Sequence, residues 1–295
     1  MVLIFGKHGQ LAQSFRATVP EALESSSVFV SSQEANFEQP EKLAGYLDHL
    51  GPDVVVVCAA YTQVDKAEEE REIAELINTR APQEIARWCQ MNDKLMIYFS
   101  TDYVFDGSGS APKREEDPKG PLNWYGSTKL AGEEAIQNTF CKHLIFRTSW
   151  VYSEYGKNFV KTMLRMGKDK THLRIVDDQI GGPTYAPDLA LAVWPLIERR
   201  LKGEKFSSGV YHMAGVGAVS WAQFAEEIFS WCRARKKEMS VEKVDGIPTA
   251  EYATPAIRPL NSRLDQSKLK AELGIEMPFW KDSLNLCLKR LEPGG

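Results

Sequence analysis

Two side chains able to move a proton, Tyr125 and Lys129, stand four residues apart. They lie in residues 123–137, whose pattern predicts a helix following a turn rich in proline and glycine. Side chains four apart share one helix face, so the phenol and the ammonium would lie side by side. A free tyrosine has a pKa of about 10, which a neighbouring ammonium would lower towards the range of acid–base catalysis. The alternative is a chance spacing of two surface residues.

A glycine-containing turn near the N-terminus could bind a dinucleotide. The apolar residues 2–5 predict a strand, and the spacing G-x-x-G-x-x-A follows at once, at Gly6, Gly9 and Ala12, before a helical pattern. Glycines permit a tight turn, and the helix N-terminus offers free N–H groups to a pyrophosphate. A plain strand-to-helix turn is the alternative.

Residues 27–30 predict the next strand. In dinucleotide-binding folds, the residue that selects between NADH and NADPH usually follows this strand. No acid follows it directly to bind a ribose 2′-hydroxyl, since Glu34 is the first acid, and no arginine follows it to bind a 2′-phosphate. The sequence therefore leaves the choice of cofactor open.

Apolar runs at residues 53–58 and 94–99 predict buried strands of a parallel sheet. The second run leads into Ser100 and Thr101, at the edge where open α/β sheets bind ligands, although strand-end capping is the alternative. We expect an α/β fold, a Rossmann-type doubly wound parallel sheet with a smaller mixed α/β C-terminal substrate domain. The predicted dinucleotide-binding domain is 1–152 plus about 186–216, and the substrate domain is about 153–185 and 217–295.

Other segments give weaker signals. Residues 64–77 and 80–92 predict two helices, and residues 245–262 are rich in proline and predicted to be irregular. We interpret the tryptophans of the C-terminal helices as core packing.

Composition excludes several classes of protein. A net charge of -4 over 295 residues argues against nucleic-acid binding, and no apolar run of 18 or more residues predicts a membrane span. The chain enters its first strand without a basic leader, and its five scattered cysteines read as reduced thiols, so we expect a cytoplasmic protein. Its five histidines lack zinc-ligand spacing.

Seven segments together resemble a known family. They are residues 5–10, 59–68, 100–107, 125–133, 146–152, 178–184 and 258–263. In this order they resemble the extended short-chain dehydrogenases/reductases and, more closely, the dTDP-4-dehydrorhamnose reductase family. The resemblance implies an NAD(P)H-dependent oxidoreductase that reduces the C4 ketone of dTDP-4-dehydro-L-rhamnose to dTDP-L-rhamnose, the last step of dTDP-rhamnose biosynthesis for polysaccharides.

The resemblance also assigns residues. It implies Thr101, Tyr125 and Lys129 as catalytic. It implies cofactor contacts by Tyr125 and Lys129 and by Gly6, His8, Gly9, Gln10, Leu11, Asn36, Phe37, Ala59, Ala60, Tyr61 and Thr62. It implies substrate contacts by Thr101, Asp102, Tyr103, Trp150, Asn158, Gln179 and Arg258. Asn36 replaces the aspartate of the relatives, which adds to the uncertainty between NADPH and NADH.

Several alternatives stay open. The chain could reduce another dTDP-4-keto-6-deoxysugar, or act without catalysis, like the regulatory β subunit of methionine adenosyltransferase. The resemblance suggests a homodimer with magnesium at its contact, but Gln13 or Ser14 stands where an acidic ligand is expected. Metal ligands, oligomeric state and the configuration of the sugar product are therefore not determined.

Overall fold

A computed structural model describes residues 1–292. The strands of its central sheet are β1 Val2–Phe5, β2 Ser27–Val30, β3 Val54–Val57, β4 Leu95–Thr101, β5 Lys142–Thr148 and β10 Gly209–His212. The other strands are β6 Val151–Tyr152, β7 His172–Val176, β8 Ile180–Gly181, β9 Thr184–Tyr185, β11 Val219–Ser220, β12 Lys243–Ile247 and β13 Asn261–Ser262.

The α-helices alternate with the strands of the central sheet and then dominate the C-terminal third. They are α1 Gln10–Ala17, α2 Glu21–Glu24, α3 Leu43–Leu50, α4 Val64–Ala67, α5 Arg71–Glu75, α6 Ala81–Met91, α7 Trp124–Asn138, α8 Phe159–Asp169, α9 Ala186–Leu201, α10 Trp221–Ala234 and α11 Trp280–Arg290. Short 3₁₀ turns occur at Pro40–Lys42, Asp102–Val104 and Thr249–Glu251, and π turns at Leu76–Arg80 and Leu269–Leu273.

The six strands of the central sheet are parallel and lie in the order β10-β5-β4-β3-β1-β2. The chain runs outward from β1 to β2 and then crosses over to β3, on the other side of β1. This reversal creates the crevice at the carboxyl ends of β1 and β3 where such sheets bind ligands. The prediction of a Rossmann-type, doubly wound α/β sheet is confirmed.

Helices cover both faces of the sheet. In β1, Val2 and Ile4 face a core shared with α1 and α9, whereas Leu3 and Phe5 face a core shared with α3, α6 and α7. Alternate residues of one strand therefore serve both layers, which explains why the strand is apolar throughout.

The C-terminal elements build a further core. Helices α8, α10 and α11 pack with β7 around Phe224, Phe229 and Trp280. Smaller sheets, β7-β12, β6-β9 and β11-β8-β13, surround this core. The boundaries that we gave for a cofactor domain and a substrate domain remain a prediction, and residues 293–295 of the latter lie outside the described residues.

Two local predictions are wrong. The helix expected over 64–77 is interrupted between α4 and α5 and then widens into a π turn that continues into α6. Within the turn, Asn78 is buried and its amide bonds both the N–H and the C=O of Tyr61. The start of the segment 245–262, predicted to be irregular, is instead the end of β12, which pairs along its whole length with β7.

No helix within residues 1–292 has the length and apolarity needed to cross a membrane. The five cysteines are free thiols; Cys58 is half-buried and the other four are buried.

Candidate active site

A cavity of about 950 Å³ opens at the carboxyl ends of β1, β3 and β4. Most residues that the sequence singled out line it, although they come from distant parts of the chain. Those lining it are Gly6, His8, Gly9, Gln10, Leu11, Asn36, Phe37, Ala59, Ala60, Thr62, Thr101, Asp102, Tyr103, Tyr125, Lys129, Trp150 and Arg258. The motifs of the sequence therefore converge on one site.

The glycine turn lies at one end of the cavity and has the shape of a phosphate cradle. Gly6 has a φ of +97°, and a Cβ there would lie 2.8 Å from the backbone nitrogen of Ala59. Gly9 stands at the N-cap of α1 and has no side chain, so the first N–H groups of the helix carry no side-chain cap. These features fit the diphosphate of a dinucleotide.

Charges of both signs meet where the glycine turn faces the loop after β2. Glu34 accepts hydrogen bonds from the backbone N–H and the hydroxyl of Ser31, at 2.9 and 2.7 Å, and these lower its pKa. Lys7, which sequence reasoning missed, lines the cavity 3.8 Å from Glu34. Asn36 accepts from the N–H of Glu38 within its own turn. Lys7 of the glycine turn and Glu34 of the loop after β2 thus place a cation beside an acid, a combination that fits either cofactor.

The hydroxyl groups of the proton-transfer end lie between β4 and α7. Thr101 ends β4, donates to Asp102 at 3.2 Å, and accepts from the backbone N–H of Tyr103 at the same distance. Helix α7 begins where predicted, capped by the side chain of Asn123. Burial raises the pKa of Tyr125 to about 12, although the hydroxyl of Thr101 opposes the change. The phenol is therefore protonated at neutral pH.

Lys129 is almost fully buried beside this tyrosine. Its Nζ donates to the carbonyl of Phe99 at 2.7 Å and lies 4.0 Å from the centroid of the Tyr98 ring. Burial lowers its pKa to about 7, against the opposing charge of Glu133. Our expectation that Lys129 lowers the pKa of Tyr125 is wrong for this structure, because burial of the phenol dominates.

Two polar atoms at the cavity have no partner among residues 1–292. They are Oδ2 of Asp102 and Oγ1 of Thr148, and both are buried. Burial also raises the pKa of Asp102 to about 7. Buried polar atoms normally form hydrogen bonds, so a ligand rich in hydroxyl groups fits this end of the cavity. Sequence reasoning missed Thr148.

An aromatic wall closes the same end. Trp150 stacks on Trp221 with ring centroids 3.5 Å apart, and Phe159 lies beside Trp221 at 4.6 Å. A Cβ on Gly181 would approach the Trp150 ring to 2.7 Å, so glycine is needed for this packing. We had interpreted Trp221 as core packing, but it lines the cavity. The available sequence signal was that Trp221 is the first residue of a helix, directly after the capping Ser220.

Three predicted contact residues lie behind the cavity. Tyr61 donates to Glu70 at 2.5 Å. Asn158 caps α8 and donates to Oε1 of Gln10 at 2.9 Å. Gln179 accepts from the indole N–H of Trp221 at 3.1 Å. None of the three lines the cavity; Asn158 and Gln179 instead bond side chains that do.

Arg258 lines the cavity but is already paired. Its Nη2 lies 2.7 Å from Oδ2 of Asp65. To bind a phosphate, the guanidinium would share or leave this partner.

No group of three metal-ligating side chains occurs in the described part of the chain. Gln13 and Ser14, which occupy the expected metal position, donate to backbone carbonyls of His8 and Gln10.

Comparison with known proteins gives one consistent family. The pattern of the family described as the RmlD substrate binding domain matches residues 1–292. The dTDP-4-dehydrorhamnose reductase of Escherichia coli K12 is 40% identical over 292 residues, 98% of this chain and 97% of that protein. The enzyme of the same name from Burkholderia thailandensis is 40% identical over 296 residues, 98% of each protein.

A solved structure agrees. The dTDP-4-dehydrorhamnose reductase of Bacillus anthracis strain Ames, in complex with NADP, matches the fold with a TM-score of 0.89 and 34% identity over 98% of each chain. The agreement spans both the Rossmann-type sheet and the C-terminal elements that complete the cavity. This chain therefore belongs to the dTDP-4-dehydrorhamnose reductase family.

Proposed function

We propose that this protein uses NADPH or NADH to reduce the C4 ketone of dTDP-4-dehydro-L-rhamnose to dTDP-L-rhamnose, the last step of dTDP-rhamnose biosynthesis. One observation carries the proposal. A single cavity joins a glycine turn suited to a diphosphate with Thr101, Tyr125 and Lys129 and with an aromatic wall. A ketone held against the wall would have proton donors on one side and the cofactor site on the other.

Tyr125 is the proposed proton donor. A reduced nicotinamide, when bound, supplies a hydride to the ketone carbon. Negative charge then builds on the carbonyl oxygen, and the phenol donates its proton there. A pKa of about 12 keeps this proton in place at neutral pH until the more basic alkoxide forms.

Thr101 is proposed to hold the same oxygen. Its hydroxyl lies at the end of β4 beside the phenol and would turn from Asp102, 3.2 Å away, to donate to the substrate. A second hydrogen bond aimed at the developing charge stabilises the transition state. The Asp102 carboxylate is then free to accept from a sugar hydroxyl.

Lys129 is proposed to hold the cofactor ribose. Its Nζ keeps the bond to the Phe99 carbonyl, which leaves further N–H donors for ribose hydroxyls. Trp150 and Trp221 are proposed to cover the sugar, because a flat aromatic surface excludes water from its apolar face.

The test is a turnover assay. Purified protein should oxidise NADPH or NADH when dTDP-4-dehydrorhamnose is added, and the sugar product should be dTDP-L-rhamnose by NMR. Another sugar epimer would indicate a related reductase. No turnover, together with stable association with another enzyme, would favour the regulatory-subunit alternative. A homodimer and a cytoplasmic location also remain predictions, which light scattering and cell fractionation would test.

A further inference from the structure

A buried ion pair lies directly behind the proposed proton-transfer residues. Glu133 on α7 and Arg147 on β5 have side chains that are 1% and 3% exposed. Nε and Nη2 of the arginine donate to the carboxylate at 2.9 and 2.6 Å. This two-pronged geometry is the strong form of such a pair. Neither residue lines the cavity, and neither contacts a reacting group in the proposed reaction.

The carboxylate is also bonded to the strand that carries Thr101. The hydroxyl of Ser100 donates to Glu133, and Ser100 lies opposite Arg147 in the β4–β5 register. Ser100 stands between Thr101 and Phe99, whose carbonyl accepts from Lys129 at 2.7 Å. The Glu133 carboxylate therefore fixes the end of β4, which carries Thr101 and the backbone carbonyl that binds Lys129.

Glu133 also acts on Lys129 through its charge. The two residues are one turn apart on α7, so they share a face. The carboxylate opposes the effect of burial, which otherwise lowers the pKa of Lys129 to about 7. The charged and titratable groups around this pair are the Tyr98 and Tyr125 phenols near Lys129, and Lys119, Glu115 and His212 around Arg147, which donates to the backbone carbonyl of Glu115.

We propose that Glu133 is a positioning residue whose carboxylate, anchored by Arg147, fixes the end of β4 and holds Lys129 as a cation facing the cofactor ribose. The inference rests on the proposed function, because Glu133 acts here through Lys129. It adds to that function a buried ion pair that lines no part of the cavity and acts through Lys129.

Glu133→Gln tests the proposal, because glutamine keeps a hydrogen-bond acceptor for Ser100 and loses the charge. Affinity for NADPH, followed by its fluorescence, should fall in the wild type as rising pH removes the proton of Lys129. In Glu133→Gln the midpoint of this fall should move down by about one pH unit, so that affinity is about tenfold weaker above it. Glu133→Asp, which keeps the charge, should leave the midpoint in place.

Two further variants separate charge from folding. Glu133→Gln strands the buried Arg147 and lowers the melting temperature, whereas Glu133→Gln combined with Arg147→Met removes both charges and is expected to restore it. The pH midpoint of the double variant should lie between those of Glu133→Gln and the wild type, because the arginine cation that also lowers the pKa of Lys129 is gone. Asp188→Asn is the control, since it neutralises a half-buried carboxylate on α9 that accepts a hydrogen bond from Ser283 of α11, outside the cavity. It should leave the midpoint unchanged.

Two results would overturn the proposal, and a third would separate it from the proposed reaction. A wild-type midpoint in Glu133→Gln, measured well below its melting temperature, would show that Glu133 serves folding alone and would overturn the proposal. A wild type whose NADPH affinity does not change between about pH 6 and 9, which brackets the expected midpoint, would overturn it as well. If binding follows the predicted pattern but dTDP-4-dehydrorhamnose is not turned over, the proposed reaction fails while the role of Glu133 towards Lys129 stands.

Discussion

The sharpest test of the proposed mechanism is Tyr125→Phe. The change removes one oxygen and keeps a ring that packs edge-on against Tyr103, with centroids 5.8 Å apart. The cavity wall should survive. Loss of the polar contact of the phenol with the Thr101 hydroxyl should change the free energy of unfolding by about 1 kcal/mol or less. Cofactor affinity should stay close to wild type, because the phenol is not one of the proposed diphosphate contacts.

The effect on turnover should be much larger. A positioned proton donor contributes about 10²- to 10⁴-fold, which equals about 2.7 to 5.4 kcal/mol in the barrier at 1.36 kcal/mol per tenfold. The loss should appear in kcat more than in KM, because the proton moves in the transition state. The phenol pKa of about 12 means that wild-type protein holds this proton across the neutral range.

The assay is the loss of NADPH absorbance with dTDP-4-dehydrorhamnose in excess, with NADPH binding measured separately by fluorescence. Tyr152→Phe is a matched control, since it removes the same oxygen from a buried tyrosine of the C-terminal core. It should keep wild-type kcat. If Tyr125→Phe retains more than about a tenth of wild-type kcat, a loss too small for a positioned acid, then Tyr125 is not the proton donor.

Three other predictions concern the cofactor and the nucleotide. Arg258→Ala should raise KM for the sugar nucleotide more than it lowers kcat, because a guanidinium suits a diphosphate; Asp65→Asn frees the same guanidinium and should not raise KM. Equal small losses of melting temperature and unchanged KM in both variants would mean that Arg258 only pairs with Asp65. NADH and NADPH should have kcat/KM values within about tenfold, or 1.4 kcal/mol, because Lys7 and Glu34 both flank the site; a thousandfold preference would contradict this. Lys129→Met should weaken cofactor binding as well as rate. In the wild type, kcat/KM for the cofactor should fall as pH rises through about 7, where the buried Lys129 loses its charge. If Lys129→Met shows the same fall, Lys129 is not the group that titrates.

Much of the site could be predicted from sequence because its signals are local. Gly6 and Gly9 stand between a strand and a helix, a context that predicts a phosphate-binding turn from the local sequence alone. Tyr125 and Lys129 share a helix face through backbone geometry alone. The order of apolar strands and helices likewise predicts a parallel sheet, whose carboxyl edge must gather residues from separate strands.

The remaining features depend on long-range packing. Lys129 turns its ammonium to a carbonyl of β4, and burial sets the pKa values of the pair in directions that spacing could not reveal. The π turn around Asn78 joins α5 to α6 where two separate helices were expected, and within it the Asn78 amide bonds both the donor and the acceptor of the distant Tyr61 backbone.

The sequence by itself indicated the parallel sheet through the order and apolarity of its strands and helices, and it indicated the glycine turn and the spacing of Tyr125 and Lys129, because these patterns are local. Tertiary structure alone decided that Trp221 completes the wall over Trp150, and that the Thr148 hydroxyl is buried beside the cavity without a partner among residues 1–292. It also decided that Arg258 pairs with Asp65, far away in the chain. The physical reason is that burial and charge pairing depend on which surfaces meet, and spacing along the chain does not encode that meeting.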